Sequence, residues 1–164
     1  MACGYDILRK TTALIILRIQ PRGGFPMQDC IFCKIARHEI QGLVICEDDF
    51  TISFMDIARD VDGHILVIPK SHCESILDCD PETLTHVMRT VKTVSNHLVD
   101  HCGYEGVNLL NASGTAAGQS LPHFHIHIIP RRHDDGLGST GTWPSFPGAT
   151  QELTAMHAKL TVLK

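Results

Sequence analysis

Three histidines carry the first chemical signal in this chain. In His123-Phe124-His125-Ile126-His127-Ile128-Ile129 they alternate with apolar residues. Alternate side chains of an extended strand share a face and stand ~6.6–7 Å apart. The spacing therefore predicts a strand over 123–129 with three imidazoles on one face and Phe124, Ile126 and Ile128 on the other. A row of imidazoles opposite an apolar face is costly unless that face does chemistry or holds a metal. Near neutral pH an imidazole can act as nucleophile, proton carrier or metal ligand.

Two other stretches have chemical potential. Asn111 is followed by Ala112-Ser113-Gly114-Thr115-Ala116-Ala117-Gly118-Gln119-Ser120, a run small enough for close backbone approach to a ligand. Backbone N–H groups in such turns form anion-binding concavities, and Asn111 and Ser120 add neutral donors. Near the other end, Cys30-Ile31-Phe32-Cys33 has the two-residue spacing of a metal knuckle. A redox pair or two core cysteines would share that spacing.

These groups need elements to position them. Ile31, Phe32, Ile35 and Ala36 recur at helical spacing over one or two turns. Leu43–Cys46, Thr51–Met55 and His64–Pro69 read as strands joined by short turns, which predicts an antiparallel meander. Asp80 can cap a long helix with Pro81 at its first position. Its apolar face runs through Leu84, Val87, Met88, Val91, Val94 and Leu98, and Gly103 stops it. Val107–Leu110 is a further strand, and a last helix starts near Thr150 and carries Leu153, Met156 and Leu160. The expected class is α+β: a five-stranded antiparallel sheet with one main helix.

The chain's 164 residues fit one domain, and 43 % hydrophobic with 20 % charged residues excludes a disordered or collagen-like protein. The longest apolar run, Ala13–Leu17, is far short of the ~20 residues a membrane span needs. A net charge of −4 argues against a nucleic-acid duplex as partner, although full protonation of the eleven histidines would reverse the sign. Seven cysteines, an odd number, fit reduced thiols in the cytoplasm. Residues 1–26 are basic and acid-poor, as in a mitochondrial presequence or a poorly ordered extension. We take the second reading, with the domain spanning 27–164.

From Cys30 to Arg131 the chain resembles the histidine triad (HIT) family. The resemblance rests on His123-Phe-His125-Ile-His127-Ile-Ile, Asp56-Ile57, the His64-Ile-Leu-Val-Ile-Pro69-Lys70 strand, Asn111 and Gly118-Gln119-Ser120. It implies a nucleotide hydrolase or transferase acting at an α-phosphate. His125 would be the nucleophile, Ser120 would give a proton to the leaving group, and His127 and His64 would support the proton relay. Asn111 and the Gly118, Gln119 and Ser120 amides would hold phosphate oxygens. Ile31, Phe32, Ile35, Phe54 and Ile57 would surround the base of a purine nucleotide, with Asp56 on the ribose hydroxyls.

The resemblance further implies that His72 and His123 join Cys30 and Cys33 around a structural zinc. Ser120 and Trp143-Pro144 favour the Hint-type branch, which hydrolyses nucleoside 5′-phosphoramidates as a homodimer. Pro130-Arg131 looks like the fragile histidine triad branch, which cleaves dinucleoside polyphosphates. His127 stands where galactose-1-phosphate uridylyltransferases carry glutamine. A nucleotide-binding interaction module without catalysis is the competing class.

Overall fold

A computed structural model of the chain describes residues 29–58, 61–137 and 151–161. The expected N-terminal extension, Cys3, Trp143-Pro144 and Thr150 lie outside the described residues. Five strands form one sheet: β1 (Val44–Glu47), β2 (Thr51–Met55), β3 (Ile65–Pro69), β4 (Gly106–Leu110) and β5 (Ile126–Arg131). Their spatial order is β1-β2-β3-β5-β4, and every pairing is antiparallel. The first three strands make the expected meander, and β5 lies between β3 and the edge strand β4. The helices are α1 (Ile31–Ala36), α2 (Pro81–Asp100) and α3 (Leu153–Leu160).

Every residue of β2 and β3 is buried, because the sheet is covered on both sides. Strand alternation sorts the side chains. Met55, Ile65, Val67, Phe124, Ile126 and Ile128 join a main core with Val87, Val91, Val94 and Leu98 of α2. Ile52, Phe54, Leu66 and Ile68 form a smaller cluster with Phe32, Ile35 and Ala36 of α1. His127 lies opposite Leu66 in the ladder, and directly opposed residues share a face. The histidine face of β5 is thus the α1 face, as its alternation predicts.

The long helix follows from its cap and stripe. Asp80 accepts hydrogen bonds from the amides of Glu82 and Thr83, 3.0 and 2.9 Å away, and Pro81 opens the first turn. Burial of each large aliphatic side chain contributes ~1.5–3 kcal/mol, so the stripe docks α2 firmly on the sheet. Met88 departs from the expected face and is largely exposed. One residue after Val87, it is rotated by about 100° around the helix, off the stripe.

Near the sheet's other end, Met156 and Leu160 of α3 enter the main core. The ring of His97 donates from Nε2 to the Leu160 carbonyl at 2.9 Å, and His157 Nε2 to that of Val44 at 2.7 Å. Cys73 and Cys102 are core residues, with Cys46 and Cys79 packed at its margin. Among the described residues no helix is long and apolar enough to cross a membrane.

The triad strand begins later than its pattern predicts, at Ile126 rather than His123. Pro69 is the reason. It has no N–H for the ladder, and its carbonyl is taken by the ring of His123, Nε2 to O 2.9 Å. The amide of Phe124 goes instead to the carbonyl of Cys73 at 2.7 Å. Residues 123–125 therefore lie beside the sheet's end, held by side chains and loops.

Candidate functional site

The four proposed metal ligands come from three segments and converge. Cys30 is the N-cap residue of α1 and Cys33 lies in its first turn. His72 follows β3, and His123 precedes β5. Nδ1 of His123 lies 3.3 Å from Cys30 Sγ, 3.5 Å from Cys33 Sγ and 3.2 Å from Nδ1 of His72; Cys33 Sγ is 3.2 Å from the same His72 nitrogen. A zinc tetrahedron with its usual bond lengths has ligand–ligand edges of roughly 3.3–3.8 Å, so the donor set fits zinc.

The protonation states suit that ion. Burial pushes His123 down to about 4, leaving it neutral at pH 7. Its Nε2–H goes to the Pro69 carbonyl, so Nδ1 turns a lone pair toward the cluster. Burial and the neighbouring Cys30 thiol push Cys33 up to about 11. A bound cation would reverse that preference by displacing the thiol proton.

His125 lies next to this cluster with its own fixed tautomer. Its Nδ1 lies 2.6 Å from the carbonyl oxygen of His123. That nitrogen must donate, which leaves a lone pair on Nε2. Burial holds its pKa below the ordinary histidine value, so the ring is neutral near pH 7. Phe32 packs edge-on against it, centroids 5.3 Å apart. The result is an uncharged, oriented nitrogen able to attack an electrophile.

The other residues expected to support a proton relay are also gathered. His64 is 3 % exposed, and its Nε2 lies 2.8 Å from Nδ1 of His127. The His127 ring sits 4.9 Å from that of His125, centroid to centroid. Asp56 Oδ2 is 3.7 Å from Nδ1 of His64.

The small-residue loop is more structured than its composition conveys. A short 3-10 turn spans Thr115–Ala117, with Gly114 (φ 87°) and Gly118 (φ 85°) on either side of it. Positive φ at both places favours glycine there. The amides of Gly118 and Gln119 bond to the carbonyls of Thr115 and Gly114. The side chain of Gln119 accepts from the Gly114 amide and donates to the carbonyls of Glu74 and Leu121. Asn111 donates from Nδ2 to the His125 carbonyl at 2.8 Å. These groups shape the loop and brace the triad, and Ser120 is left exposed at the loop's end.

Of the base-binding set, Phe32, Ile35 and Phe54 are buried together in the smaller cluster. Gly42 lies against them; a Cβ there would come within 3.2 Å of Ile35 Cγ2. Ile31 and Ile57 are exposed, the latter by 76 %. A backbone carbonyl fixing the imidazole tautomer is expected on chemical grounds, but that the oxygens are those of Pro69 and His123 is not legible in the sequence, since a backbone oxygen has no residue type to betray it.

Comparison with known proteins agrees with this geometry. The adenosine 5′-monophosphoramidase of Schizosaccharomyces pombe is 35 % identical over 133 residues, covering 80 % of this chain and 96 % of that protein. An adenylylsulfatase of Arabidopsis thaliana is 40 % identical over 109 residues, covering 66 % of this chain and 55 % of that protein. The crystal structure of a zinc-bound histidine triad family protein from Mycobacterium smegmatis superposes with a TM-score of 0.73 at 26 % identity, covering 83 % of this chain and 93 % of that one. Residues 37–134, from the end of α1 to just beyond β5, match the HIT domain. With that match spanning all five strands of the sheet and the triad within it, the chain belongs to the HIT domain family.

Proposed function

We propose that this protein is a Hint-type hydrolase that cleaves adenosine 5′-phosphoramidates or related adenylyl compounds at the α-phosphorus through a nucleotidyl-His125 intermediate. The observation that carries the reading is the Nδ1 contact of His125 with the His123 carbonyl, which leaves Nε2 as nucleophile. In the first step that nitrogen bonds to phosphorus and the phosphorus–leaving-group bond breaks. Ser120, exposed at the end of the loop that precedes the triad, passes a proton to the leaving amine and takes one back from solvent water. In the second step water takes the nucleotide from His125, with His127 and His64 managing the proton. The relatives named for phosphoramidate and adenylylsulfate hydrolysis support an adenylyl group as the common unit.

The base fits against Phe32, Ile35 and Phe54, with exposed Ile31 and Ile57 as an apolar rim and Asp56 toward the ribose. Cys30, Cys33, His72 and His123 would hold zinc as a closed brace, one that fixes backbone 123–125 and has no position open for substrate. Arg131, the feature shared with the dinucleoside polyphosphate branch, is occupied by Asp135 and Asn108. That favours the phosphoramidate reading. The exposed edge of β4, with Leu109 facing out, supports a homodimer, and reduced free thiols support a cytoplasmic setting.

The test is turnover of adenosine phosphoramidate followed by acid quench and mass spectrometry. Wild type should gain the mass of adenosine monophosphate and His125→Ala should not. Nucleotide binding without turnover in wild type would favour the interaction-module reading instead.

A further inference from the structure

We infer that Asp56 is a positioning residue for this reaction, its carboxylate acting through His64 on His127 to leave Nε2 of His127 as the proton acceptor. The inference rests on the activity proposed above. It starts from the hairpin: β2 ends at Met55, and the amide of Asp56 donates to the carbonyl of His64 at 2.9 Å. The carboxylate and the imidazole are thereby set side by side where the hairpin opens. Gly63, at φ 79°, makes the turn possible, and a Cβ there would lie 2.8 Å from the Tyr104 hydroxyl.

The three side chains are clustered, one donor atom of each lying within 4.8 Å of the others. Asp56 Oδ2 faces Nδ1 of His64 at 3.7 Å, while Nε2 of the same ring faces Nδ1 of His127 at 2.8 Å. The other carboxylate oxygen is held by the Ala58 amide at 2.9 Å, which limits rotation of Asp56. These donors are close enough together to resemble a cation site. However, the Asp56 contact falls on Nδ1 of His64 and the His127 contact on Nε2, so an ion on either nitrogen would displace one of the two contacts. A relay fits this order better than a chelate does.

At 3.7 Å the carboxylate contact is an ion-pair approach rather than a hydrogen bond. His64 is almost wholly buried, so the contact is weakly screened and favours a proton on Nδ1. Nε2 of His64 must then accept, and the donor across the 2.8 Å contact is Nδ1–H of His127. Nε2 of His127 keeps its lone pair. A carboxylate that orients a catalytic imidazole in other hydrolases works by the same logic.

The consequence falls on the second step. The water oxygen bonds to phosphorus, and the bond from phosphorus to His125 Nε2 breaks with its electron pair returning to that nitrogen. The water proton goes to Nε2 of His127. The positive charge spreads over the two imidazoles facing Asp56, and the proton then leaves to solvent.

The resemblance places Asp56 on the ribose, so the experiment must separate the two roles. Asp56→Asn is assayed with adenosine phosphoramidate and with its 2′,3′-dideoxy counterpart, which has no hydroxyls to bind. The relay requires kcat to fall by about 10–100-fold on both substrates, with KM for the dideoxy compound little changed. Asp56→Glu should recover part of the loss. If Asp56→Asn matches wild type on the dideoxy compound, Asp56 serves the ribose alone and the inference is overturned.

Imidazole nitrogen-15 shifts give a readout that needs no turnover. Wild type should show His64 and His127 both protonated at Nδ1, and Asp56→Asn should redistribute those protons in a protein whose other signals are unchanged. A spectrum in which the substitution leaves both tautomers as they were also overturns the inference. If wild type cleaves neither substrate, the proposed activity fails, and the shifts alone decide the coupling.

Discussion

Nδ1 of His125 and the backbone oxygen of His123 are 2.6 Å apart, which makes the cysteine–histidine cluster and the triad parts of one short segment. His123 turns its side chain to the cysteines and its carbonyl to the ring of His125. Asn111 then holds the next carbonyl, that of His125, at 2.8 Å. Three residues lying beyond the end of the β3–β5 ladder are thus fixed from several directions.

Asn111→Asp should reduce turnover more than it reduces binding. The substitution sets a carboxylate oxygen against the His125 carbonyl where a donor stood, and the two repel. A displacement approaching 1 Å at a nucleophile costs on the order of 100-fold. We expect kcat to fall by about 10–100-fold, beyond the loss of adenosine monophosphate affinity that the added negative charge brings in calorimetry. Unchanged kcat would mean the contact does not position His125.

Wild-type protein should carry equimolar zinc by atomic emission, and Cys33→Ser should carry little. Chelator should lower the Tm of wild type and leave that of Cys33→Ser where it is, because the variant has no brace left to lose. Since Cys33 must shed a proton held by its buried position, zinc affinity should weaken as pH falls. Equal chelator shifts in both proteins would remove the cluster from consideration as a metal site.

Acid should selectively erase one loop's contribution. Asp135 accepts from Nε and Nη2 of Arg131 and from the amides of Arg132 and Leu137. Foremost, the Arg131 bond holds its carboxyl well below the usual carboxylate range. A depressed folded pKa stabilises above the unfolded value of 3.8 and loses that effect as pH falls through the folded one. Asp135→Asn should therefore cost about 1 kcal/mol in urea unfolding at pH 7. The gap to wild type should close progressively below pH ~4. A gap independent of pH would assign the cost to packing.

Asp80→Ala tests the helix start. Losing the two amide contacts of the cap should destabilise the protein by about 1 kcal/mol at neutral pH, and Asp80→Asn should restore most of it. Both can be read from denaturant midpoints with an unchanged slope.

Much of this molecule is written in side-chain periodicity. The α2 cap and stripe, the meander and the alternation of His123 to Ile129 follow from residue types alone, because burial acts on side chains at fixed periods of helix and strand. The knuckle spacing of Cys30 and Cys33 was equally readable, though His72 and His123 joined it only through family resemblance. Tertiary structure decided the rest. It delayed β5 to Ile126 because Pro69 cannot donate to the ladder, and it aimed the His123 and Pro69 carbonyls at two imidazole rings. It also turned the Gly118 and Gln119 amides inward and placed Asp56 beside His64. Every residue carries the same backbone oxygen and nitrogen, so where those groups point depends on the folded path of the chain.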